Sequence, residues 1–194
     1  KGIYISGPNT MGKLFLQTES PWNESFYNGS TDKIKTKGCA LSCIAMVLKA
    51  FGADVNPDKL NTFMKDEGKE GHLGFTKSHD VLYPVIKDYP GSPVKFADMV
   101  GLGAYQDEVI KHAIPPLNPT NLAKMDNALA RGLPVIAQVI NPTSGNGHFV
   151  VVTGKTSSGD YHILDPSGET ERVMLSSSYE TICKYITFEF KKKN

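Results

Sequence analysis

The sequence predicts an α+β fold, in which an N-terminal helical part is followed by a C-terminal antiparallel sheet. An apolar helix lies between Gly38 and Gly52, other helix signals occupy the first two thirds of the chain, and strand-like segments dominate from Leu133 onward. Short clusters of Gly, Asn, Ser and Pro separate these strands. Strands so close in sequence must pair antiparallel, so we expect them to form a meander.

The helix that begins at Cys39 is apolar on every side, so we expect it to lie in the core. Gly52 is a suitable residue to end it. The apolar positions are Leu41, Ile44, Ala45, Met46, Val47, Leu48 and Phe51.

Further helices are predicted on both sides of a glycine-rich loop. One begins at Asn56, with Pro57 as its first residue. A second begins at Ser78-His79-Asp80 and is weakened by Pro84. A third is short and spans 106–113, and a fourth is closed by Gly132. The predicted strands span 93–99, 135–140, 148–153, 161–165, 172–175 and 185–190.

Length and charge limit the classes of function. The chain has 194 residues and a formal net charge of +1 without a basic stripe, which disfavours nucleic acid as a partner. No apolar run approaches the roughly 18 residues of a membrane span. We expect a monomer with an extended lead-in (1–13), one domain (14–190) and a basic tail (191–194).

Three cysteines are an odd number and do not suggest a disulfide framework. Cys39 and Cys43 are four residues apart on one helix, where a disulfide is awkward. We therefore expect free thiols, with Cys183 a small buried hydrophobic residue.

Cys39 is the candidate nucleophile. In the first turn of a helix, free backbone N–H groups and the positive end of the helix dipole favour the thiolate. Such a nucleophile needs a base and a group that orients the base. If Thr153 and Tyr161 flank a hairpin loop, paired positions sum to 314, which places His148 opposite Pro166 and beside Asp165.

An oxyanion would need fixed hydrogen-bond donors. The N–H of Cys39 is one, and Gln17, at the end of a short apolar run, is the best side-chain candidate. Thr36 and Lys37 are weaker candidates.

Other interpretations of these residues stay open. His148 could be an ordinary strand-end histidine, and Gln17 a surface residue. Cys39, Cys43, His148 and Asp165 could together bind zinc, although Cys43 is predicted to face the core.

Taken as a set, these motifs resemble those of papain-like cysteine peptidases. The resemblance is greatest to the bacteriocin-leader (double-glycine) peptidases and their stand-alone secreted relatives, and it covers 14–168. The matching motifs are Leu16-Gln17-Thr18, Gly38-Cys39, Met46-Val47-Leu48, Gly147-His148-Phe149-Val150 and Asp165-Pro166.

The resemblance implies a papain-like fold with Cys39 as nucleophile, His148 as general base and then acid, Asp165 as orienting residue and Gln17 as oxyanion donor. It also implies a bacterial protein that is secreted or in the cell envelope, needs no cofactor or metal and acts on a peptide or protein substrate. Ala40 departs from the family pattern, which has Gly there. The interval from Gln17 to Cys39 is also longer than usual.

Three functions follow as hypotheses. The first is a thiol-dependent hydrolase that cleaves peptide or related amide bonds through a thioester. The second uses the same triad as a transpeptidase or acyltransferase. The third is a non-catalytic peptide-binding domain of the same fold.

Overall fold

The computed structural model describes residues 3–4, 14–27, 32–67, 74, 81–101, 117–143, 145, 147–168, 173–179 and 181–192. It has the predicted α+β fold, with a buried helix packed on an antiparallel sheet. The predicted helix at 106–113 and most of the lead-in lie outside these residues. The division into lead-in, domain and tail stays a prediction.

The buried helix, α2, spans Cys39–Ala50, and nearly all its residues are buried as predicted. It follows a single turn of helix, α1 (Ile34–Lys37), with Gly38 between them. A Cβ on Gly38 would lie 2.6 Å from the carbonyl oxygen of Ile34, so only glycine fits this connection. Gly52 follows the helix with a φ of 95°, a left-handed conformation that glycine adopts without strain.

Helix α3 (Pro57–Glu67) begins as predicted. The side chain of Asn56 accepts a 2.8 Å hydrogen bond from the N–H of Lys59. The helix predicted from Ser78 is wrong in type within the described part, because Tyr83–Asp88 forms a 3-10 helix with Pro84 in its first turn. Residues 78–80 themselves lie outside the described ranges.

The described strands are β1 (Ile3–Tyr4), β2 (Val94–Gly101), β3 (Val135–Ile140), β4 (Gly147–Lys155), β5 (Tyr161–Leu164), β6 (Val173–Met174) and β7 (Thr181–Phe190). They form one sheet with the order β2-β7-β3-β4-β5-β6, in which every neighbouring pair is antiparallel, and β1 pairs with the end of β4. Strands β3 to β6 form the predicted meander, whereas β7 does not continue it and lies between β3 and β2.

Both faces of the sheet are covered. On one face Ile136, Val151 and Ile186 belong to the core cluster built around α2. On the other face Ala137 and Val150 pack in a second cluster with helix α4 (Pro119–Ala130). Burial of both faces explains why β3 is apolar at five of its six positions rather than at alternate ones.

No helix in the described part of the chain has the length and apolar character to cross a membrane. Cys39, Cys43 and Cys183 are free thiols, as predicted.

Candidate active site

Cys39 is the first residue of α2 and is partly exposed, whereas Cys43 and Cys183 are buried. No acidic side chain stands in the first turn of α2 to compete with a thiolate for the helix dipole. Of the three thiols, Cys39 is therefore the one that a reagent or substrate can reach.

The structure brings His148 and Asp165 together. Nε2 of His148 lies 2.7 Å from Oδ1 of Asp165, and both side chains are largely buried. His148 is the second residue of β4, and Asp165 follows the last residue of β5. The predicted proximity of the two residues is thus found.

The register behind that prediction is wrong by one to two positions. Val151 pairs with Leu164, so the positions sum to 315, and Gly154 pairs with His162, so they sum to 316. An irregularity at Thr153 causes the change, since one extra residue stands in β4 there. Continued past Leu164, the sum of 315 aligns His148 with position 167 rather than with Pro166.

The thiol, imidazole and carboxylate influence one another's ionisation. Burial opposes the charged form of Cys39, but the hydrogen bond and charge of His148 outweigh it and lower the pKa of the thiol. Burial likewise disfavours a charged His148, yet its hydrogen bonds to Asp165 and Cys39 raise the pKa of the ring to about 9. Burial of Asp165 is outweighed mainly by the hydrogen bond from His148, and the pKa of this carboxyl falls to about 2. Neighbouring backbone groups of Phe149 and Ala40 also favour the Cys39 thiolate.

The two ring nitrogens of His148 have separate partners. Nε2 faces Asp165 and also lies 3.1 Å from Oγ of Ser167. The nitrogen left for the hydrogen bond with Cys39 is therefore Nδ1. With this arrangement Nδ1 of His148 can accept the proton of the Cys39 thiol while Nε2 stays hydrogen-bonded to the carboxylate of Asp165.

Two residues that the sequence analysis missed also contact Asp165. The hydroxyl of Tyr179 donates a 2.6 Å hydrogen bond to Oδ2. The N–H and the hydroxyl of Ser167 each donate a 2.9 Å hydrogen bond to Oδ1. A serine two residues after an aspartate is a common turn pattern, so the pattern alone does not mark Ser167, although its closeness to the candidate Asp165 could have drawn attention to it. No local signal marks Tyr179.

Gln17 is buried and tied to both sides of the site. Its Nε2 donates a 2.9 Å hydrogen bond to the carbonyl of Lys35 in α1. Its backbone N–H donates to the carbonyl of Pro166, also at 2.9 Å. The interpretation of Gln17 as a surface residue is wrong, whereas its role as an oxyanion donor stays a prediction. Thr36 and Lys37 are exposed, and their weaker candidacies also stay untested.

The zinc alternative gains no support. Among the described residues, no group of three or more His, Cys, Asp and Glu side chains is arranged to hold a metal ion. Cys43 is fully buried, and burial, with the nearby negative charges of Cys39 and Asp165, raises the pKa of its thiol.

A cysteine at the start of a buried helix, facing a histidine on an antiparallel sheet, defines the class of papain-like cysteine peptidases. The chain belongs to the Peptidase_C39 like family, whose model matches residues 17–190.

One solved structure has the same overall fold. It is the crystal structure of a candidate C39-like peptidase from Bacillus anthracis, with a TM-score of 0.55 and 15% sequence identity. The alignment covers 100% of each chain. No sequence among the curated proteins matches this chain.

Proposed function

We propose that this protein is a thiol-dependent hydrolase that cleaves peptide or related amide bonds through Cys39, His148 and Asp165. The observation that carries the proposal is the 2.7 Å hydrogen bond between Nε2 of His148 and Asp165, which leaves the other ring nitrogen to Cys39. Membership of the Peptidase_C39 like family supports the same class of reaction.

In the first step the Cys39 sulfur attacks the carbonyl carbon of the scissile amide. The lowered pKa of the thiol supplies a thiolate, and the displaced proton resides on His148. The new C–S bond converts the carbonyl into a tetrahedral species whose oxygen carries the negative charge. Asp165 stays ionised and stabilises the imidazolium.

The negative oxygen needs donors that are already in place. The backbone N–H of Cys39, at the start of α2, is one of the groups that a helix leaves unpaired. The Nε2 of Gln17 carries two hydrogens, of which one bonds to Lys35, so the second is available as the other donor.

Collapse of the tetrahedral species breaks the C–N bond, and His148 gives its proton to the departing amine. The product is a thioester on Cys39. Neutral His148 then takes a proton from the water that attacks the thioester carbonyl, and the C–S bond breaks, which releases the carboxylic acid and leaves Cys39 as a thiolate beside protonated His148. Cys39 regains its starting form, with no cofactor required.

A digest of a complex peptide mixture, with new termini identified by mass spectrometry, tests this proposal. The parent protein should generate new termini, and Cys39→Ala and His148→Ala should abolish them. His162→Ala is the matched histidine control, because its partner position Gly154 is six residues along β4 from His148, about 20 Å away.

The control should retain cleavage while its melting temperature shows a folded protein. Cleavage that persists in Cys39→Ala would contradict the proposal. So would the absence of cleavage by a parent protein in which Cys39 reacts no faster with iodoacetamide than an ordinary thiol.

A further inference from the structure

Four hydrogen bonds converge on the carboxylate of Asp165. Oδ1 faces His148 Nε2 and accepts from both the N–H and the hydroxyl of Ser167, while Oδ2 accepts from the Tyr179 hydroxyl. Both oxygens are therefore occupied, and the plane of the carboxylate is fixed. Only one of these bonds belongs to the catalytic step proposed above.

Tyr179 touches the catalytic pair in two ways. Beyond its bond to Asp165, its ring lies nearly parallel to the His148 ring, with centroids 5.8 Å apart and an interplanar angle of 24°. Tyr179 is 6% exposed, and its N–H donates to the carbonyl of Leu175 at 2.9 Å. A tyrosine held in this way limits the rotation of both the carboxylate and the imidazole.

Ser167 also contacts both His148 and Asp165. Its hydroxyl lies 2.9 Å from Oδ1 of Asp165 and 3.1 Å from Nε2 of His148, so the three groups form a triangle. Unlike Tyr179, Ser167 is exposed. It occupies the position that the true β4–β5 register aligns with His148.

We propose that Tyr179 and Ser167 are positioning residues, which fix the carboxylate of Asp165 and through it hold the His148 ring toward Cys39. This inference rests on the proposed Cys39–His148 chemistry. Without Tyr179 the buried Oδ2 would lack its donor, and the carboxylate would turn to recover one at the expense of its bond to His148. The His148 ring would then be held less rigidly toward Cys39, so the imidazolium would stabilise the thiolate less and the pKa of the thiol would rise.

The test is the pH dependence of iodoacetamide alkylation at Cys39, which requires no substrate. Tyr179→Phe removes only the hydroxyl and keeps the ring. Tyr161→Phe is the matched control, because the Tyr161 hydroxyl donates a 2.8 Å bond to a different carboxylate, Asp126. For Ser167→Ala the control is Ser176→Ala, whose hydroxyl bonds to Asp160.

We expect the midpoint for thiolate formation to rise by roughly 0.5 to 1 pH unit in Tyr179→Phe, and by less in Ser167→Ala. Both controls should keep the parent midpoint. With a cleaved peptide, kcat should fall roughly three- to tenfold in Tyr179→Phe at unchanged KM. In an Asp165→Asn background, Tyr179→Phe should add no further shift.

An unchanged midpoint in Tyr179→Phe, or an equal shift in Tyr161→Phe, would overturn the inference. A downward shift would also overturn it, since the hydroxyl would then act by withdrawing charge from the carboxylate. If Tyr179→Phe does not fold, Ser167→Ala at its exposed position decides the question in the same assay.

The proposed function can fail separately. A parent protein with an activated Cys39 and the expected shifts, but with no peptide cleaved, would retain the positioning roles and reject hydrolysis. Conversely, peptide cleavage by the parent, with the parent alkylation midpoint retained in Tyr179→Phe and Ser167→Ala, would support hydrolysis and reject the positioning roles.

Discussion

The backbone N–H of Gln17 donates a hydrogen bond of 2.9 Å to the carbonyl of Pro166, the residue that follows Asp165. The side-chain amide of Gln17 donates a second hydrogen bond, to the carbonyl of Lys35, which lies four positions before Cys39. Gln17 thus connects the segment that leads to the nucleophile with the turn that carries the orienting carboxylate. Its amide is fixed at a junction of the site rather than on a flexible surface loop.

Replacing the Gln17 amide should impair catalysis without affecting the nucleophile. In Gln17→Ala and the nearly isosteric Gln17→Glu we expect kcat to fall roughly 100- to 1000-fold, because one oxyanion donor is removed. Stopped assays with a cleaved peptide measure kcat, and alkylation of Cys39 at matched pH should stay near the parent rate in Gln17→Ala, which adds no charge to the site. A kcat within threefold of the parent in both folded variants would exclude the donor role.

The three thiols should differ sharply in reactivity. Cys39 is partly exposed and has a lowered pKa, whereas burial raises the pKa of both Cys43 and Cys183. Limiting iodoacetamide at pH 6 should therefore modify Cys39 first, as peptide mapping by mass spectrometry would show. His148→Ala should slow this reaction and leave the other two thiols unchanged. Equal labelling of all three in the native protein would be incompatible with this site.

Activity should decline as the pH rises through about 9. The proton that His148 gives to the leaving amine is present below its pKa of about 9 and lost above it. The profile of kcat/KM should therefore have an alkaline limb near that pH.

The carboxylate of Asp165 raises the pKa of His148, so Asp165→Asn should move the alkaline limb to lower pH. Asp160→Asn, at a carboxylate bonded instead to Ser176, should leave it in place. If the alkaline limb stays at the same pH in Asp165→Asn, His148 is not the group whose proton the limb reports.

Gly38→Ala should destabilise the protein and disturb Cys39. The new Cβ would meet the carbonyl oxygen of Ile34 at 2.6 Å and its Cα at 3.0 Å, so α1 or the start of α2 must move. We expect a loss of about 1–3 kcal/mol in the free energy of unfolding, measured with urea. Thr62→Ala, at an exposed position of α3, should change it by less than about 0.5 kcal/mol. Parent-like stability and alkylation of Cys39 in Gly38→Ala would show that the connection is not tight.

The sequence was most informative where one local pattern decides the structure. The apolar helix after Cys39 and the capped start at Asn56 were predicted because their signals lie within a few residues. The meander was predicted for the same reason, since its strands follow one another with short turns.

Long-range features were not predictable in this way. The pairing of β7 with both β2 and β3 joins strands that are far apart in the sequence, so no local pattern specifies it. Tyr161 pairs with Lys155 rather than with Thr153, and the irregularity at Thr153 recovers only one of these two positions, so His148 and Asp165 were placed together through an incorrect alignment. Tyr179 could not be predicted from the sequence, because only its contacts with Asp165 and His148 in the folded protein connect it to the site.

The strand order also has a consequence for biosynthesis. A ribosome makes Cys39 well before His148, and it makes β7 last among the strands, although β7 lies inside the sheet between β2 and β3. The thiol therefore leaves the ribosome without its base, and β2 waits for its only neighbour in the sheet path until synthesis of the described chain is nearly finished. In a nascent chain Cys39 would thus lack the partner that activates it until β4 and β5 have been made, and its thiol would react until then as an ordinary one.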